Sequence, residues 1–597
     1  MTPGKFAEYE RTFASDNEQV AAVEGATVTG QSVGEAEITG SITYNGAVFG
    51  DTLPVSVVDE LIYSGLASTR TATGIIVSRK SESIEIGEEY AAQAYVLSAI
   101  TEEHPWPYGY PDDNLVKWTS SDPEVCRVKN GVLLGISEGE ATITAQDIAG
   151  TVSASFELTV TAVTALEYTE DEVLTVDESA YDWTTVESTT LALQTILADA
   201  SAAGKKKIIL PNRLYQVSPV YGSIYIPTNM IVDFNGGTVQ IMPSDMTTNG
   251  GYGMIYFMDA EYSSIENAVI YGERFLIEGT GVEGCTSVDI AGKSKRSGLV
   301  NCTISRSPGF NTGCGNTNRK VIGCKLSTIE AGGIDDNGAD VDEAYAYRCN
   351  TYMNISTLGE RFGFGNVQGF GGYMYLSARM YNIYFYDADK NFLTAYKYCV
   401  QYSVYDKPEG AVYARVMFWQ GSAPTGGDPD YNAIAHLYSF DKPDRCYFRG
   451  CLFEDSYSTA IAPNGGENFV IENCTFRNNG YRDPASQIDW EDGRQHNKGH
   501  ILRNCSFEGG GPVTVIGADG IVIHNNVMNG TPLNVGDEVQ NARVWLNQFI
   551  GSGAKATITP KTDEVFSQNY GYNGAAYTLN TIDGVEFSVR ETENSFE

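Results

Sequence analysis

One short phrase returns along this chain: a turn residue, a small residue, then two residues that open a strand. It reads Asn301-Cys302-Thr303-Ile304, then Gly323-Cys324-Lys325-Leu326, then Arg348-Cys349-Asn350-Thr351. It comes back as Gly450-Cys451-Leu452-Phe453, Asn473-Cys474-Thr475-Phe476 and Asn504-Cys505-Ser506-Phe507, and closes as Asn525-Asn526-Val527-Met528 and Leu546-Asn547-Gln548-Phe549. From Cys302 onward the steps are 22, 25, 102, 23, 31, 21 and 21 residues. A period in the low twenties with one strand–turn–strand phrase per repeat marks a solenoid whose successive windings stack. Stacking puts like positions in register, so Asn and Cys are expected to form interior ladders. There Asn satisfies backbone groups and Cys fills a slot too small for Leu.

The two irregular steps mark departures from the repeat. A step of 102 less one winding leaves about 80 residues for an insertion. Between Phe362 and Phe440 the composition turns tyrosine-rich and the phrase is absent. Tyr381–Tyr386, the turn Asp387–Asn391 and Phe392-Leu393 read as a hairpin, and Pro408–Ala411 leads into a strand at Val412–Val416. These aromatics suit the core of a small sandwich, or a platform for stacking sugar rings. The step of 31 carries about nine extra residues, and solenoids spend such residues on functional loops.

The length, 597 residues, requires several domains. The net charge of −37 sets the chain against phosphate backbones and anionic lipid, so nucleic-acid partners are not expected, and with no apolar run near the ~18 residues of a span neither is membrane insertion. Hydrophobic residues make up 42% and charged residues only 19%, which excludes a disordered acidic chain. Eleven scattered cysteines without zinc spacing read as small, reduced core residues. Met1–Lys5 opens no basic-then-apolar leader, so synthesis in a cytoplasm without a signal peptide is expected.

Two N-terminal stretches align without gaps at an offset of 105 residues. Phe13-Ala14-Ser15 answers Trp118-Thr119-Ser120; Gly34-Glu35-Ala36 answers Gly139-Glu140-Ala141; Leu53 and Val55 answer Leu158 and Val160. Period-2 alternation is plain in Phe156, Leu158 and Val160. The pattern W-x-S-S-D…V…G…G-x-A-x-I-T resembles the bacterial Ig-like group 2 module, complete over 66–163 and partial over 1–60. That resemblance implies β-sandwich spacers.

After a linker at 164–180, Leu193, Ile196, Leu197 and Ala200 fall at helical spacing, with Ser188 or Thr189 as cap and Gly204 as stop. An amphipathic helix followed by Ile208-Ile209-Leu210-Pro211 and Tyr215-Gln216-Val217 resembles the opening of pectate-lyase-like right-handed β-helices. The phrases around 381–416 and Ile488–Gly493 resemble parts of β-helical tail proteins from phages of Gram-positive bacteria. The expected fold is therefore all-β: a right-handed parallel β-helix over 181–361 and 441–597, an inserted β-sandwich at 362–440, Ig-like domains in front, and a C-terminal cap within 560–597.

The longer loop holds the densest cluster of titratable side chains, Ser486 to His500. In a strand, Ile488 and Trp490 share one face, Asp489 and Glu491 the other. With the apolar pair inward, the two carboxylates stand outward about 6.6 Å apart at Cα. Their oxygens then span about 5 to 9 Å, the range of both retaining and inverting glycoside hydrolysis. Asp489 and Glu491 are thus the candidate catalytic pair, with Trp490, Asp492, Arg494 and His496 as candidate substrate contacts. The same pattern is that of a solvated acidic strand followed by a polar turn. A second acidic cluster, Asp335-Asp336 with Asp340, Asp342 and Glu343, resembles the acid pair of polygalacturonase-like hydrolases, whose G-H-G and R-I-K elements are absent. Calcium is the alternative there, although no EF-hand spacing is present; a solvated turn is the default.

The resemblance implies a virion tail receptor-binding protein, a tailspike or tail fibre. Such a protein attaches to host cell-surface polysaccharide, with depolymerisation as an added activity, as a homotrimer joined to other virion tail proteins through its N-terminal region. The alternative is a bacterial extracellular polysaccharide lyase, hydrolase or adhesin.

Overall fold

The computed structural model describes residues 10–24, 27–30, 34–44, 47–57, 71–101, 116–164, 166–277, 284–315, 321–366, 380–400, 403–424, 435–481, 486–491, 497–536, 539–559, 564–579, 589–592 and 594–596. It divides into two units, Met1–Leu66 and Ala67–Glu597.

In the first unit Glu10–Ser15 pairs antiparallel with Gly34–Tyr44, which pairs with Ala47–Val57, beside a hairpin of Ala21–Glu24 and Thr27–Gly30. The second unit opens on the matching arrangement: Val116–Ser120 pairs with Gly139–Asp147, and that strand with Ser153–Thr161. Phe13 faces Gly40 and Trp118 faces Ala145, so the first strand pair keeps one register at the 105-residue offset. The second copy also has Ser83–Glu85 laid parallel on the Ser153–Thr161 strand. Its core holds Ile84, Trp118, Leu133, Ile143 and Leu158.

From Val173 to Phe596 the chain winds a right-handed parallel β-helix of three sheets with 12, 11 and 10 strands. The first strand, Val173–Thr175, pairs with Lys207–Ile209, so the coil begins inside the stretch expected to be a linker at 164–180. A helix over Val186–Ala202 caps that end, burying Leu193, Ile196, Leu197 and Ala200. Its cap is Thr185, whose hydroxyl accepts from Ser188 N at 3.0 Å, one turn ahead of the expected Ser188 or Thr189. Gly204, at φ +69°, ends the run. No helix among the described residues is long and apolar enough to cross a membrane.

The repeated phrase marks the bend from the first sheet to the second. Its turn residue takes a left-handed conformation at Asn301, Gly450, Asn473, Asn504 and Asn525. The next residue points inward, and Cys302, Cys451, Cys474 and Cys505 are all buried free thiols. Asn526 continues that slot: its Oδ1 accepts from Cys505 N at 2.9 Å. Asn547, Asn569 and Asn594 repeat the bond at 3.1, 3.1 and 3.0 Å, and each of their Oδ1 atoms also accepts from the Nδ2 of the preceding asparagine. Phe453, Phe476 and Phe507 stack in the next slot.

Two of the phrases do not belong to the coil. Gly298–Val300 pairs directly with Tyr447–Arg449, and Thr303–Ser305 with Leu452–Glu454. The insertion therefore leaves after Cys314 and includes the strands at Val321–Cys324 and Ala346–Cys349, both antiparallel members of the small module. The expected boundary of 362 is too late by some 45 residues. A buried cysteine ahead of a polar turn suits any tight core, and Cys324 and Cys349 sit in the core of the module, not in a rung. The hairpin Met380–Tyr386 with Phe392–Val400 forms as expected, and Tyr381, Tyr384, Phe385 and Tyr386 are buried. Glu564–Ser567, Tyr570–Tyr572 and Ala576–Leu579 extend the three sheets by another winding.

Candidate functional site

Side chains alternate in and out along every strand, so each sheet offers one outer column per outward position. On the first sheet that surface is covered. Ile501, Val522, His524, Arg543 and Trp545 point outward yet are buried: Ile501, Val522 and Trp545 pack on Ala91 and Val132 of the N-terminal sandwich, and Arg543 Nε donates to Asn130 O at 3.0 Å. His524 Nε2 and Arg503 Nη1 meet the Glu89 carboxylate at 2.9 and 3.2 Å. Burial opposes ionisation of Glu89, but the His524 hydrogen bond and the Arg503 charge outweigh it, and its carboxyl titrates below the ordinary range. A cavity of about 710 Å³ lies along this seam, lined by Glu85, Glu88, Arg296, Arg445, Arg503 and Glu472. Its guanidiniums are met by its own carboxylates (Arg296 by Glu85, Arg445 by Glu88, Arg503 by Glu472), which makes it a charge-balanced joint between modules.

The third sheet differs. Its outer column runs Tyr225, Tyr256, Asp289, Gly313 and Ala462 across successive strands. Ile461 pairs with Ile488, which brings Asp489 next, followed by Thr514, Asn534, Thr557 and Thr578. Every member after Ala462 is half-buried, and Tyr225 is 55% exposed. Tyr225 and Tyr256 stack with centroids 5.5 Å apart and planes at 16°. Beside them Asp289 is half-buried, and burial pushes its carboxyl up to about 6, only partly opposed by a hydrogen bond from the Ile290 amide. Gly313 makes room beside it: a Cβ there would lie 3.0 Å from Asp289 Oδ1. Gly313 and Ala462, both buried, are the small residues between the two carboxylates, with an aromatic pair at one end of the column and a hydroxyl and amide row at the other.

Asp289 and Asp489 are three strands apart, about 14 Å at ~4.8 Å per strand, which is beyond the reach of a hydrolytic acid pair. The two stand in one outward column of the third sheet.

The residues singled out by sequence separate here. Ile488 and Trp490 are fully buried in the coil core, so Trp490 stacks no substrate. Asp489 faces outward in the groove, and Glu491 is exposed just past the strand end. Asp492, Arg494 and His496 lie outside the described residues. His500 is buried and neutral, pushed down to about 3 by burial and by the charges of Arg79, Lys498 and Lys442. Its Nδ1 accepts from Phe469 N at 3.2 Å, a structural bond.

Asp335 and Asp336 belong to the inserted module, away from the groove. Asp335 Oδ1 accepts from the amides of Asn337 and Ala339 at 2.9 and 2.8 Å, which forms the turn and keeps the exposed carboxyl below its usual range. Asp336 pairs with Lys397 at 3.2 Å, and Asp340 with Arg415 at 2.8 Å. Arg361 pairs with Glu467 at 2.7 Å. Among the described residues no group of three or more His, Cys, Asp or Glu side chains is arranged to hold a metal ion.

Asp289, Tyr225 and Tyr256 were not among the expected site residues. Their only local signal is an acid between Val288 and Ile290, and tyrosines at outward positions of apolar strands.

No protein-family model matches the chain, and no curated protein matches it. Among solved structures it is similar to the A-module of the Azotobacter vinelandii mannuronan C-5 epimerase AlgE6, at 10% identity and a TM-score of 0.38, covering 71% of this chain and 94% of that one. It is also similar to the Streptococcus pneumoniae surface protein and adhesin PfbA (11%, TM-score 0.27, 71% and 97% covered). A third is tailspike protein 2 of the Escherichia coli O157:H7 bacteriophage CAB120 (8%, TM-score 0.21), where 64% of this chain matches 35% of that one. With all three scores below 0.5, the β-helix assignment rests on the strand pairing itself.

Proposed function

We propose that the outer face of the third sheet binds a polysaccharide laid along the column from Tyr225 to Thr578. The observation that supports this reading is the stacked Tyr225–Tyr256 pair, with Tyr225 exposed, in the same outward column as Asp289 and Asp489. Flat aromatic faces suit sugar rings, the small residues leave room for a chain, and carboxylates, hydroxyls and amides meet its hydroxyl groups. In this reading the protein is a virion receptor-binding appendage. It is a homotrimer carried on other tail proteins through its N-terminal region, engaging host cell-surface polysaccharide, and three weak sites gain strength by avidity.

For chain cleavage, Asp289 is the group suited to hold a proton near neutral pH, and Asp489 with Glu491 is the pair spaced for acid–base work. The test is to incubate the protein with purified host polysaccharide, measuring binding by co-sedimentation and cleavage by reducing ends or unsaturated products. Binding that Tyr225→Ala and Tyr256→Ala both weaken supports the groove. Binding untouched by either removes it. If product forms, Asp489→Asn and Glu491→Gln should each lower the rate about a hundredfold, and a rate changed only by Asp289→Asn moves the chemistry to that residue. Saturable binding without product makes the protein an attachment device alone.

A further inference from the structure

A second cluster lies in the turns that carry the chain from the second sheet to the third. Arg274 and Arg306 meet there, with Arg274 N donating to Arg306 O at 3.0 Å. The Arg306 guanidinium carbon lies 4.1 Å from the Tyr271 ring centroid and that of Arg274 lies 4.1 Å from Tyr481. Both flank Phe275, at 5.8 and 5.1 Å. Phe275 is 62% exposed and Tyr481 55%. Gly272 is what lets these turns approach: a Cβ there would lie 2.5 Å from Arg306 O.

Neither guanidinium has a carboxylate within ion-pair distance among the described residues, whereas Arg213, Arg449, Arg477 and Arg503 each have one. The Arg306 Nε–H is buried with no acceptor. Arg274 Nη1 donates to a backbone carbonyl, that of Asp455, at 2.7 Å. The nearby acids are turned to other tasks. Glu273 is fully buried, accepting from Thr247 Oγ1 at 2.8 Å and from the Tyr252 hydroxyl. The Asp455 carboxylate accepts from the Tyr481 hydroxyl at 3.4 Å.

In a chain with a net charge of −37, two guanidiniums on aromatic faces, with no carboxylate at ion-pair distance among the described residues, suit an anion from outside. A guanidinium presents a planar fork that matches a carboxylate or a phosphate, and an aromatic ring beside it takes the sugar. The buried Ser307 hydroxyl, next to Arg306, hydrogen-bonds that of Ser287, two residues before Asp289, so this turn packs on the strand that carries Asp289.

We infer that Arg274 and Arg306 hold the anionic group of a sugar residue, so the polysaccharide is an acidic one, bearing carboxylates or phosphodiesters. This rests on the polysaccharide reading above. The test is binding of the full chain to an array of carboxylated, phosphodiester-linked and neutral glycans, repeated with Arg274→Gln, Arg306→Gln and Arg306→Lys. Variants are compared only where their unfolding midpoints equal that of the parent; Arg306→Lys retains the stem if the glutamine disturbs the turn. The expected result is binding confined to one of the two anionic sets, which also tells carboxylate from phosphate. Affinity should fall at least about tenfold in Arg274→Gln and decline steeply with salt. Bound glycans that are neutral, or anionic binding unmoved by all three variants, overturn the inference and leave the polysaccharide reading standing. An array on which nothing binds overturns both.

Discussion

The first and third sheets of the coil are made by the same windings and share one interior, yet their outer faces differ in kind. The first sheet turns Ile501, Val522 and Trp545 outward and closes them under the N-terminal sandwich. The third turns out Thr514, Asn534, Thr557 and Thr578 and leaves them at the surface. Inward residues therefore decide that a coil forms, and outward residues decide what each face meets. Large apolar groups with paired arginines make a joint; small, hydroxylated and aromatic groups make a groove.

The sharpest way to break this contrast is Trp545→Ala. That indole is buried against His524 and lies under Lys129, and its loss should cost about 3–5 kcal/mol, read from the denaturant midpoint. An equal loss from Thr514→Ala on the open face would erase the distinction.

Glu89 gives the next effect. Its folded carboxyl titrates below the unfolded value, so its contribution is whole above the ordinary carboxylate range and is lost as pH falls through the folded value. Glu89→Gln should lower stability at pH 7 and remove that acid-side dependence in unfolding curves across pH 2 to 7.

Asp289 has the opposite sign. With its carboxyl raised to about 6, stability is whole below about pH 4 and is lost as pH rises through 6. Asp289→Asn should therefore raise the unfolding free energy from urea melts at pH 8, by up to about 3 kcal/mol, and leave it unchanged at pH 3. A carboxyl titrating near 4 by NMR would remove that expectation.

The smallest effect is Tyr225→Ala, which should weaken polysaccharide binding by about 1 kcal/mol while the unfolding midpoint stays in place.

What could be read beforehand follows the same division. The ladder of Cys474, Cys505, Asn526 and Asn547 was legible because each winding repeats its bend, and the capping helix because Leu193, Ile196 and Leu197 keep helical spacing. Alternation alone put Ile488 and Trp490 inside, and both are buried. Strand direction was not legible. Cys324 and Cys349 carry the same phrase as the rungs, but their partners, Ala435–Ser439 and Tyr413–Trp419, run antiparallel and lie far along the chain. The groove was hidden for a related reason. Asp289 gains its character from Tyr256 and Gly313, neighbours in the column and distant in sequence.

Because Val300 faces Arg449 and Ser305 faces Glu454 across adjacent windings, the chain between Cys314 and Asp444 is topologically a detour. Whatever it carries can be lengthened, traded or shed while the ladder on either side keeps its registry. The ties to be replaced include the contact of Arg361 with Glu467 and the packing of Met380 and Val400 on Tyr95 and Leu97. The coil is in this sense a rail, and the tyrosine-rich body a carriage that can be changed on it.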